Sequence, residues 1–214
     1  MPEARIKVTA TPTQRRIVVF DIGGVLLRWD PRFLYRKLFA GDERAMEEFL
    51  ATVCTVEWNE RQDAGRTFAE AHAELVPKHP DKTHLIEAFG NRFDEMIAGP
   101  IEGTVDILAD LKRAGVPRYA LTNWSAETFP PARARFEFLS WFDGIVVSGE
   151  EGVIKPDPRI FRILLERHCI APDEAVFIDD NPGNAAAARA LGIHGIHFRS
   201  PELLRRELET LGIL

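Results

Sequence analysis

IVVFDIGGVLLRWD, residues 17–30, is the stretch whose reading decides the fold. Four apolar residues run straight into Asp21, and Gly23 and Gly24 follow almost at once. An apolar run without alternation fits a strand covered on both faces, as in a parallel sheet. A carboxylate at the end of such a strand loses hydration and needs compensation. Ligands of parallel α/β sheets bind beyond the carboxyl ends of the strands. Position alone therefore marks Asp21 as a candidate site residue, whose partners should stand at the same ends of other strands.

Similar apolar runs recur at 117–122, 144–148, 175–179 and 193–198, and the first strand is read as 16–21. Helical patterns lie between them at 103–114, about 126–136, 158–168, 182–191 and 201–211. Strands alternating with helices of this length predict βαβ units and a doubly wound α/β fold with a parallel sheet. Residues 31–95 break the alternation. Helical patterns appear there at 32–39, 43–54, about 64–76 and 83–97, without a strand. The expected organisation is an α/β core of residues 1–30 and 98–214 with an all-helical insertion at 31–97.

The 214 residues suffice for a full core, and 45% hydrophobic with 28% charged residues is ordinary for a globular protein. A net charge of −6 without a basic block argues against nucleic acid or an anionic membrane as partner. No apolar run reaches membrane-spanning length, and the N-terminus lacks a signal-peptide core. A cytoplasmic protein with a loosely ordered first dozen residues is expected. Cys54 and Cys169 have no disulfide or zinc spacing and are expected as buried free thiols. None of the six histidines has metal-ligand spacing, so all are read as non-catalytic.

At the strand ends stand Asp21-Ile22-Gly23-Gly24, Thr122-Asn123-Trp124-Ser125, a loop with Lys155-Pro156-Asp157, and Asp179-Asp180-Asn181-Pro182. These parts suit phosphoryl transfer. A carboxylate can attack phosphorus, splitting one hard step into two. The meeting of two anions calls for cations, and Mg2+ takes hard oxygen ligands such as Asp21 and Asp180. Lys155 and the Thr122 hydroxyl, with backbone N–H groups such as those of Gly23 and Gly24, suit the phosphoryl oxygens. One of the two acids at 179–180 is expected to cap the following helix and the other to face the site.

Four motifs in order, VVFDIGGVL, YALTN, GVIKPDPRIF and VFIDDNPGN, resemble the haloacid dehalogenase superfamily over nearly the whole chain. The insertion resembles that family's α-helical cap, and the acid pair with Asn184 resembles its glucose-1-phosphate phosphatase branch. The resemblance implies that Asp21 is nucleophile and metal ligand and that the Gly23 carbonyl binds the metal. Thr122 and Asn123 would bind phosphate. Lys155 would stabilise the pentavalent centre, Asp180 and Asp179 would serve Mg2+, and Asn184 would orient the acidic loop. The substrate would be a small phosphorylated metabolite.

Position 23 departs from the pattern. Family phosphatases mostly carry a second Asp there as general acid/base, and this chain has Gly23. General acid catalysis is typically worth about 10² to 10⁴ in rate. Three readings follow: a phosphatase whose leaving group needs little protonation, such as a sugar 1-phosphate; a 2-haloacid dehalogenase; or a binding or regulatory protein. Asp179-Asp180 speaks against the dehalogenase, so the phosphatase is the expectation. His72, Glu60 or Asp63 could replace the missing acid. Trp29 and Trp124 flank the site, for sugar stacking or for packing. Trp58, Asn59, Glu60, Arg61 and Asp63 face either substrate or other helices.

Overall fold

In the computed structural model, which describes residues 17–214, β1 (Ile17–Phe20) runs into the Asp21 turn and β2 (Leu27–Trp29). Five helices follow: α1 (Arg32–Leu38), α2 (Glu43–Thr52), α3 (Val56–Asp63), α4 (Phe68–Leu75) and α5 (Thr83–Asn91). The chain returns through β3 (Ile97–Pro100) and α6 (Glu102–Arg113) to β4 (Arg118–Thr122), α7 (Phe129–Arg135) and β5 (Gly144–Val147). It ends with α8 (Ser148–Glu151), α9 (Pro158–Arg167), β6 (Ala175–Asp179), α10 (Pro182–Ala190), β7 (His194–His197) and α11 (Pro201–Thr210). The expected loose N-terminal dozen and Arg16 as a strand residue lie outside the described residues.

The strands form one parallel sheet in the order β5-β4-β1-β6-β7. Connections wind outward from β1 in both directions, so the order reverses at its carboxyl end. That crevice is where α/β sheets bind ligands. Val18 and Phe20 pack into one apolar cluster and Val19 into another. Val176 and Ile178 divide from Ala175 and Phe177 in the same way. Successive side chains alternate between faces, and both faces are covered, which is why these strands read as continuous apolar runs.

The insertion differs from its reading in four places. β2 and β3 pair antiparallel and form a neck where no strand was expected. They are only 3 and 4 residues long, and β3 contains Gly99 and Pro100, which disguise a strand. α3 was not assigned: its sequence, VEWNERQD, is too polar to show a clear apolar stripe. Thr55 starts it, accepting from the Trp58 N–H at 3.1 Å. The helix expected from residue 64 starts only at Phe68, where Thr67 and Glu70 form a capping box. The pattern expected to run to residue 97 stops at Asn91, and Phe93–Met96 is a 3₁₀ turn.

Both cysteines are free, yet only Cys54 is buried, and Cys169 is exposed beyond the end of α9. No described helix is long and apolar enough to cross a membrane.

Candidate active site

Asp21 follows the last residue of β1 and is 8% exposed. Its Oδ1 accepts the Ile22 N–H at 2.7 Å, which fixes the carboxylate at the start of the turn. Gly24 completes that turn with φ +71°, and a Cβ there would stand 2.1 Å from Asp180 Oδ2. Glycine suits the left-handed backbone, and any side chain there would have to turn the Asp180 carboxyl aside. Gly23 is different. A Cβ at Gly23 would meet nothing within 4 Å, so no steric demand explains the lost acid.

Lys155 enters beneath this turn. Its Nζ lies 2.9 Å from Asp21 Oδ1 and donates to Asp179 Oδ2 at 2.7 Å and to the Leu121 carbonyl at 2.9 Å. An ammonium has three donors, so every one is committed. The Lys155 backbone is clamped by the Asn123 side chain, which accepts its N–H at 2.8 Å and donates to its carbonyl at 3.0 Å. Asn123 thus holds the lysine loop and also lines the cavity. Thr122 ends β4, 1% exposed, and does not line the cavity.

Asp179 ends β6 fully buried. Besides Lys155, it accepts from the Asn181 N–H at 2.8 Å and from Asn184 Nδ2 at 3.1 Å to each oxygen. The cap of α10 is Asn181, which accepts from the Gly183 N–H at 2.8 Å. Neither acid caps the helix, contrary to expectation: Asp179 is turned back to the lysine and Asp180 opens to the cavity. His197, missed in the sequence, supports this loop with Nε2 3.0 Å from the Asp180 carbonyl.

Carboxylate oxygens of Asp21, Asp179 and Asp180 lie within 4.8 Å of one another. One ammonium does not balance three carboxylates. Burial pushes Asp21 up to about 7, with Lys155 opposing and Asp179 adding to the rise. Burial works against the charge of Lys155, yet Asp21 and Asp179 hold its pKa above the ordinary range. Asp180 is raised by loss of hydration and then by Asp179. The donor set is all hard oxygen with surplus negative charge, and the buried Asn184 Oδ1 beside it has no partner among the described residues. These features fit a small divalent cation such as Mg2+.

Over this edge lies a cavity of about 510 Å³, roofed by the helical insertion. Trp29, Leu50, Val56, Phe89, Phe93 and Trp124 give it largely apolar walls, and Asp21, Asn123, Lys155 and Asp180 its polar floor. The polar stretch 57–68 divides cleanly. Val56, Asn59, Glu60 and Asp63 share one face of α3 and line the cavity, at the i, i+3, i+4, i+7 spacing of a helix face. Trp58 is buried against Phe89 at 5.2 Å, and Arg61 pairs with Glu74 on the outer face. Trp124 is packed between Phe93 and Phe129, while Trp29 stacks on Phe93. His72 does not line the cavity.

Asp63 is the buried acid of the roof. Its Oδ2 accepts from Asn59 Nδ2 at 3.0 Å. Burial pushes its pKa up to about 7, with the Glu60 charge adding and the Ser125 N–H and Lys155 opposing.

A family model described as a haloacid dehalogenase-like hydrolase matches residues 15–192. The chain is 31% identical over 215 residues to mouse (Mus musculus) acyl-CoA dehydrogenase family member 10, covering 92% of this chain and 19% of that protein. It thus spans about a fifth of the mouse protein's length. With the sesquiterpene phosphatase astK of Aspergillus oryzae it is 28% identical over 210 residues, covering 93% of this chain and 97% of the relative. A HAD family enzyme from Bacteroides thetaiotaomicron has the same fold, with a TM-score of 0.69, 22% identity and coverage of 88% and 95% of the two chains.

Proposed function

This chain belongs to the haloacid dehalogenase-like hydrolases, and from that premise we propose that it is a magnesium-dependent phosphatase acting on a small phosphomonoester through an aspartyl-phosphate at Asp21. The observation that carries the reading is the Lys155 ammonium held between Asp21 and Asp179, with Asp180 completing three carboxylates within 4.8 Å. Lys155 keeps the attacking carboxylate in place and supplies a fixed positive charge where phosphoryl charge builds. Asp21, the Gly23 carbonyl and Asp180 would hold Mg2+, with Asp179 behind them and Asn184 steadying the acidic loop. The bound cation supplies the further positive charge that two approaching anions need. Asn123 and the Gly23 N–H are assigned to the phosphoryl oxygens; Thr122 lies outside the cavity, and the Gly24 N–H is taken by the Leu27 carbonyl at 2.9 Å.

The walls of Trp29, Leu50, Phe89, Phe93 and Trp124 favour an alcohol with a substantial apolar part. The name of astK, a sesquiterpene phosphatase similar along nearly its whole length, supports the same substrate class. A sugar phosphate would instead use Trp29 as a stacking surface, since Trp124 is packed between Phe93 and Phe129. The acid pair speaks against a haloacid substrate, because two carboxylates repel its carboxylate.

Hydrolysis of p-nitrophenyl phosphate with and without Mg2+ tests the reading. Turnover that needs Mg2+ and disappears in Asp21→Asn, with an unchanged melting curve, is expected. Full turnover in Asp21→Asn removes the nucleophile assignment. A panel of prenyl and sugar monophosphates then ranks the two substrate classes by kcat/KM.

A further inference from the structure

We propose that Asp63, from the roof of the cavity, is the general acid that protonates the leaving alcohol, in place of the acid that Gly23 lacks. The inference rests on the phosphatase reading and adds a residue to it.

Geometry carries it. Asp63 is 9% exposed and lines the cavity that Asp21 and Lys155 also line. It is fastened to the core rather than loosely hung over it. Ser148 Oγ donates to its backbone carbonyl at 2.5 Å and accepts the Trp124 N–H at 2.9 Å. Trp124 belongs to the loop that follows β4, so through Ser148 the acid is registered against the expected phosphate-binding edge.

Its neighbours suit a group that changes protonation. Asn59 donates to Asp63 Oδ2, and the Asn59 Oδ1 is buried without a partner among the described residues. Turning the Asn59 amide over would offer that oxygen to a protonated Asp63, so one neighbour serves both states. The charged groups acting on it are Glu60 from its own helix and Lys155 from the core. A carboxyl with pKa about 7 is matched to proton transfer near neutrality. Glu60 also lines the cavity but is largely open to solvent, and His72 lies outside it.

The balance of the step is simple. An Asp21 oxygen bonds to phosphorus as the ester P–O bond breaks, and its electron pair goes to the leaving oxygen. That oxygen takes the Asp63 proton and departs as a neutral alcohol. Water then attacks the aspartyl-phosphate and gives its proton to the Asp63 carboxylate. The Asp21–phosphorus bond breaks, releasing phosphate and restoring both acids.

Leaving-group dependence tests it, in kcat/KM, which reports the step of leaving-group departure. p-Nitrophenolate leaves without a proton; the alkoxide of benzyl phosphate does not. In Asp63→Asn, kcat/KM for benzyl phosphate should fall on the order of 100-fold or more, the scale of general acid catalysis, and for p-nitrophenyl phosphate far less. Gly23→Asp added to Asp63→Asn should restore the benzyl ester, since a Cβ at 23 meets nothing. In the wild type, benzyl kcat/KM should decline above a pH near 7, where the acid is spent, and p-nitrophenyl kcat/KM should lack that limb. Equal losses on both esters in a folded variant, or no loss on either, overturn the assignment. If Asp63→Asn does not fold, the wild-type pH comparison decides: identical profiles overturn it. Wild-type failure on both esters removes the phosphatase reading and this inference with it.

Discussion

Two adjacent glycines do different work. Gly24 has φ +71°, and a side chain there would drive into the Asp180 carboxyl. Gly24→Ala should therefore displace Asp180 and lower kcat/KM for p-nitrophenyl phosphate by about 100-fold, the cost of an ångström-scale misplacement. Its melting temperature should fall too, because a left-handed alanine is strained by about 1 kcal/mol. Gly23→Ala meets open space and should melt no lower than wild type, since it restricts the unfolded chain without native strain. Lys155 is the opposite case, a buried cation whose three donors are all used. Lys155→Met would leave Asp21 and Asp179 buried without their counter-charge. Urea unfolding should show a loss of about 3 kcal/mol, the scale of breaking a buried pair from one side. A loss below about 0.5 kcal/mol, typical of surface changes, would mean that the lysine does not hold the cluster together.

At the scale of elements, legibility followed length and pattern. The strands 118–122 and 175–179 and the helices that flank them announced themselves through unbroken apolar runs and helical periodicity. The residues at their ends were found because their place in a parallel sheet is itself the signal. α3 was invisible because the face it buries carries a carboxylate and an amide where a helix usually carries leucines. Its one clear mark was Thr55 three residues before Trp58, a capping signal that periodicity does not register. β2 and β3 were too short to alternate visibly. The buried acid of α3 makes a prediction for the whole helix. With a folded pKa near 7 against an ordinary 3.8, Asp63 binds a proton in the native state that the unfolded chain has already lost. Wild-type stability from this group is full below pH 3.8, declines as pH rises to about 7, and is level beyond. Asp63→Asn removes that dependence. The difference in melting temperature between variant and wild type should shift in the variant's favour between pH 4 and 7. A constant difference across that range would mean that Asp63 titrates normally.

Across the whole molecule, one apolar cluster joins the roof to the sheet. Tyr35, Met46, Phe49, Trp58 and Phe89 from the insertion are continuous with Phe20, Ile107, Ala120 and Val176 of the α/β part. Phe93 bridges directly, with its ring 6.2 Å from Trp29 and 5.8 Å from Trp124. Hydrogen bonds follow the same seam, from Ser148 to the Asp63 carbonyl and from the Phe68 N–H to Glu127. Burial this continuous couples the parts, because neither can expose its share without opening the other's. The two halves should unfold as one unit. The tryptophans allow the check, since Trp29 and Trp58 lie in the neck and roof while Trp124 and Trp141 belong to the α/β part. Replacing either pair with phenylalanine leaves fluorescence that reports one half alone. The two urea curves should share a midpoint and match the far-ultraviolet circular dichroism. Midpoints that separate, with the roof melting first, would make the insertion an independently mobile lid. Asp63 would then reach the leaving group only in the closed state, and kcat would follow closure rather than chemistry.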